Sequence, residues 1–153
     1  MLQLLKKCIP AAFAVTLLVG VSSAQTTVPF RERSAGTITD VVPGTLSFAG
    51  VGQATHIGRY TIVGSAFFDD QGHILDAHFV ETTRDGATIA GRFSGTYAPL
   101  PSGQLRFDVT VTWSDGTGRL AGVTGQGNVV ALIDGVAPGA GFQAQGLGNF
   151  LLP

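Results

Sequence analysis

From Leu105 to Trp113 apolar and polar residues change places at every step: Leu105, Phe107, Val109, Val111 and Trp113 fall on one side of an extended chain, and Arg106, Asp108, Thr110 and Thr112 on the other. A period of two belongs to a strand with one buried face, and no helix could bury that set together. Residues 87–97 repeat the pattern. Ile89, Phe93 and Tyr97 share a face with Gly91 and Gly95, opposite Thr88, Ala90, Arg92, Ser94 and Thr96. The glycines fall where bulk would collide or the strand must bend.

Weaker alternation marks further strands at 36–42, 55–69, 73–83, 125–134 and 142–151, and no helical period of comparable length intervenes. Between them stand turn signals such as Pro43-Gly44, Asp85-Gly86, Ser102-Gly103, Asp115-Gly116, Asp134-Gly135 and Pro138-Gly139. The 22 glycines are therefore read as hairpin punctuation. Short turns imply an antiparallel meander, and seven or eight such strands protect their edges by closing. The expected fold is all-β: a single antiparallel eight-stranded up-and-down β-barrel over residues 35–153. Residues 55–69 are too long for one ordinary strand and should bend at Gly58 or Gly64. The polar, aperiodic stretch 25–34 is expected to be a flexible leader.

The first 24 residues have a separate job. Lys6 and Lys7 precede an apolar run from Ile9 to Val21, which ends in Ser22, Ser23 and Ala24. That is the layout of an export signal cleaved near Ala24. The run is shorter than the ~20 residues a bilayer span needs and contains Pro10, so no stable membrane anchor is expected. The expected destination is secreted or periplasmic. Cleavage would remove the only cysteine, Cys8, leaving no disulfide to hold the 129 remaining residues. These carry seven arginines, no lysine and ten acidic residues. Seven scattered arginines make no phosphate-neutralising cluster, so nucleic acid is not an expected partner.

Two stretches carry a family resemblance. Residues 52–60, with His56 and Gly58, and residues 115–127, with Gly116, Gly118, Arg119 and Gly122, are similar to bacterial secreted members of the allene oxide cyclase barrel-like group, which are related in fold to plant dirigent proteins. The resemblance implies an eight-stranded antiparallel barrel. It also implies an interior able to act on a reactive small molecule through shape and a few polar groups, without metal or organic cofactor. It rests on turn and strand residues and carries no catalytic position over to this chain.

Chemistry-bearing residues are few. Leu75, Ala77, Phe79 and Glu81 alternate on one face of their strand, so Glu81 would share the apolar side, where desolvation raises a carboxyl pKa and suits it to acid or base work. Its place near the strand end favours a solvated rim instead. Glu81 is the catalytic candidate, and Arg59, Arg92 and Tyr97 are the binding candidates. His56 and Arg59, three apart, point to opposite faces unless the chain bends at Gly58. Arg119 has five donors to place and is expected to cap carbonyls of its own turn. His56, His73 and His78 show no i, i+2 pairing, so no metal is expected. Gly116-x-Gly118-x-x-x-Gly122 is one residue too long for a dinucleotide loop and has no strand–helix–strand around it.

Three functions follow as expectations. The first is a secreted barrel that binds a small hydrophobic ligand or serves a structural role. The second is a cofactor-free isomerase or cyclase working in the cavity. The third is a small outer-membrane barrel, against which two tyrosines and one tryptophan are too few for aromatic girdles. Barrels of this size often pair as homo-oligomers through their outer faces, but no such face stands out in the sequence.

Overall fold

A computed structural model describes residues 25–153, so the expected export signal lies outside the described residues. Eight strands follow one another around a closed antiparallel barrel. They are β1 (Thr26–Val42), β2 (Thr45–Ala54), β3 (Gly58–Phe68), β4 (His73–Thr83), β5 (Thr88–Pro99), β6 (Leu105–Ser114), β7 (Thr124–Ile133) and β8 (Gly141–Leu152). Among the described residues the one helical element is a single 3₁₀ turn, Gly118–Leu120, between β6 and β7. β1 closes the cylinder: residues from Thr26 to Thr37 pair with β8, and residues from Glu32 to Val42 pair with β2. That stagger is the shear a barrel needs.

Two expectations are corrected here. The stretch 25–34 is the first part of β1, with Phe30 and Glu32 buried inside and Arg31 and Arg33 outside. Its alternation is masked in the sequence by a charge at an inward position. The segment 55–69 does not bend as one strand. It is a turn at 55–57 followed by β3, and β3's partner β2 went unread because Gly50 and Gly52 occupy two of its inward positions.

Inward glycines face inward rings. Gly91 pairs with both Phe79 and Trp113, Gly125 with Trp113 and Phe150, Gly52 with Tyr60, and Gly36 with Phe142. A Cβ at Gly91 would strike the Phe79 ring, and one at Gly125 the Phe150 ring. A narrow barrel can hold this many aromatics only if the neighbouring strand yields the volume.

The two ends differ. At the end carrying turns 55–57, 84–87 and 115–123, Phe30, Trp113 and Phe150 form a fully buried layer with ring centroids 4.6 to 5.4 Å apart. Ile57, Ala87, Leu120 and Val123 are buried as well. Arg119 ties these turns together. Its guanidinium donates to the carbonyls of His56 (3.2 Å) and Ile57 and to Asp85 Oδ2 (3.0 Å). Arg119 thus caps the β2–β3 turn rather than its own, because a side chain leaving a tight turn reaches across the barrel end more easily than it folds back. His56 (φ 69°) and Gly58 (φ 84°) give that turn its left-handed backbone. At the opposite end Tyr97 stacks on Phe107 (5.5 Å), meets Phe68 edge-on (5.8 Å) and donates its hydroxyl to the Asp69 carbonyl at 2.8 Å.

Candidate functional site

Above the Phe30–Trp113–Phe150 layer the barrel interior forms a partly open cavity of about 100 Å³. Its wall is apolar, including Phe48, Ile62, Phe79, Phe93, Val111 and Ala144, and its polar side chains are Glu32, Ser34 and Glu81. Two carboxyls in an apolar chamber are the feature that needs explanation.

Glu81 lies on β4 between Ile62 of β3 and Ile89 of β5, and it is 1% exposed. Its Oε1 accepts from Trp113 Nε1 at 3.3 Å, while its Oε2 is buried without a hydrogen-bond partner among the described residues. Desolvation, reinforced by the nearby Glu32 charge, pushes the carboxyl up to about 8. Glu32 on β1 is 8% exposed and accepts the Tyr60 hydroxyl at 3.1 Å. Its burial outweighs that hydrogen bond and pushes it up to about 7. Gly146 lies directly across from Glu32, and a Cβ there would sit 2.6 Å from Glu32 Oε1. Burial and the two carboxylates also raise the Tyr60 hydroxyl, which therefore stays a donor.

Unpaired buried polar atoms are rare in folded proteins because each forfeits its hydration at a cost of about 1–3 kcal/mol. The arrangement can do two things with the unpartnered oxygen of Glu81: hold a polar group of a bound molecule, or exchange a proton with it.

The placement of the candidate residues is mixed. Glu81 faces inward with Ala77 and Phe79, and the rim position expected from its place near the strand end is corrected: Tyr60, Trp113 and Glu32 close over it. Leu75 does not share that face. A bulge between Ile74 and Ala77 leaves Leu75 63% exposed and turns Ile74 inward. Arg59 and Arg92 point outward, away from the cavity; Arg92 pairs with Asp76 at 3.5 Å. Tyr97 faces inward but packs at the far end, outside the cavity wall. Glu32 and Tyr60 were missed. Carrying the alternation of 36–42 back through Ser34, Glu32 and Phe30 is the signal that finds Glu32.

The reading of the arginines as scattered is also corrected. Arg31, Arg33, Arg59 and Arg84 gather on the outer surface near the Arg119 end, since Arg33 and Arg59 both pair with Gln53, and Arg84 follows Thr83, the partner of Tyr60. Among the described residues none of the four forms an ion pair. No group of His, Cys, Asp and Glu able to hold a metal occurs among the described residues.

The fold and this site define a class: a closed eight-stranded antiparallel barrel with a small apolar chamber and two buried carboxyls. No protein-family model, curated protein or solved structure matches the chain.

Proposed function

We infer that the barrel binds one small, mainly apolar molecule in its interior. The observation that carries this reading is the cavity of about 100 Å³ in which Glu81 Oε2 has no partner. The space is of the same order as cavities that accept a benzene-sized body, about 150 Å³ in an engineered case. Inward apolar and outward polar positions alternate on β6, the reverse of what a lipid-facing wall requires, which supports a barrel working in water after export.

The test is benzene binding followed by NMR on the protein and on Ala144→Leu, whose added carbons fill the chamber. Saturable binding lost in the variant supports the reading. A protein whose spectrum is unmoved by benzene overturns it.

The buried, partnerless Glu81 Oε2 also favours a second reading, a cofactor-free isomerase or cyclase in which a protonated Glu81 gives its proton to a substrate oxygen. On that reading Glu81→Gln abolishes turnover of a reactive epoxide, and unchanged turnover removes Glu81 from the chemistry.

A further inference from the structure

The polar side chains at the chamber floor come from four strands. Glu32 and Ser34 come from β1, Tyr60 from β3, Glu81 from β4 and Trp113 from β6. Around them β2, β5, β7 and β8 turn in only glycine or apolar side chains, such as Gly52, Ile89, Val129 and Gly146. Every arginine and histidine of the described residues lies outside the barrel or in its turns. The chamber therefore concentrates two carboxyls against no cation. Tyr60 satisfies one oxygen of Glu32 and Trp113 one oxygen of Glu81, the Ser34 hydroxyl lies against Tyr60, and Glu81 Oε2 is left without a donor among the described residues.

Aromatic faces stand beside that capacity. Phe79 lies 6.2 Å from both Trp113 and Phe93, and all three rings adjoin the chamber or its floor. Surplus carboxyl acceptors next to ring faces are the combination that recognises an organic ammonium, through charge-assisted hydrogen bonds and attraction to the rings.

Resting on the reading of the cavity as a ligand site, we propose that its ligand is a small primary or secondary amine, bound as the ammonium with N–H donated to Glu81 Oε2 and its short hydrocarbon body among Phe48, Phe79, Phe93 and Val111. The ammonium supplies the positive charge that the chamber lacks and a donor for Glu81 Oε2. An alkylamine keeps its proton up to about pH 10, as a lysine does. Glu81, held toward the neutral form by burial, must ionise to form the ion pair while Glu32 can keep its proton, so binding releases protons and strengthens from pH 6 to 9.

The test is calorimetric titration of the protein with pentylamine, 1-pentanol and pentanoate at pH 6, 7, 8 and 9. Pentylamine is expected to bind at least about tenfold tighter than pentanol at pH 8, the scale of one hydrogen bond to a charged group. Its affinity should rise with pH and its binding should release protons into the buffer. Glu81→Gln should lose about tenfold for pentylamine and leave pentanol within about threefold; Glu81→Met gives the same comparison should the first variant fold poorly. Pentanol or pentanoate binding as tightly as pentylamine at pH 8 overturns the amine and leaves the cavity reading standing. Binding of none of the three overturns both.

Discussion

Replacing Glu81 by glutamine keeps the side chain's length and its acceptor for Trp113 but removes the ionisation. In the folded protein the Glu81 carboxyl titrates at about 8, against a usual 4.5 in the unfolded chain. The folded value is the higher one, so the associated stability is complete below about pH 4.5 and is lost as pH rises toward 8. Between pH 4.5 and 7 the unfolded carboxyl ionises while the folded one stays protonated. At ~1.4 kcal/mol per pH unit, wild type should lose about 3 kcal/mol through this residue alone. Glu32, pushed up to about 7, adds a loss of its own that the variant keeps. Urea unfolding at pH 4.5, 6, 7 and 8, read by the single tryptophan Trp113, measures the difference. The variant's stability should be flatter than wild type's by about 3 kcal/mol over that interval. Curves for the two proteins that stay parallel would show that Glu81 is already ionised in the folded barrel, and the burial argument would fail.

Other outcomes follow from the packing. Gly36→Ala places a Cβ against the Ala49 carbonyl and the Gly50 Cα, backbone that cannot yield, and should cost about 3 kcal/mol by chemical denaturation. In Gly91→Ala the atoms nearest the new Cβ all belong to the Phe79 ring, which has the cavity beside it, so about 1 kcal/mol is expected together with weaker benzene binding. Arg119→Ala removes three hydrogen bonds from a half-exposed side chain, worth about 1 kcal/mol after screening. Faster amide exchange should then be confined to the 55–57, 84–87 and 116–123 turns.

The sequence discloses the fold wherever side chains report their facing. In β6 every inward position carries Leu, Phe, Val or Trp, so one strand already states the period. β2 is silent because its inward Gly50 and Gly52 report no facing. The same glycines make the barrel possible by admitting the rings opposite, so the feature that closes the fold is also the one that hides it. Glu81 is legible from parity with Ala77 and Phe79. Its burial is not, because the residues that cover it come from Glu32, Tyr60 and Trp113, all distant in sequence. Parity also sets Arg92 outside, opposite Phe93, and its distance from the chamber follows from that alone. The partners of Arg119 lie 34 to 63 residues away and emerge only when three turns meet at one barrel end.

Carbon-13 NMR titration of the glutamate δ-carboxyls addresses the buried pair most directly, because the two signals report Glu32 and Glu81 and nothing else among residues 25–153. Midpoints near 7 for Glu32 and near 8 for Glu81 are expected. Two midpoints close to 4.5 would mean that water reaches both carboxyls, and the buried site on which ligand and chemistry rest would not exist.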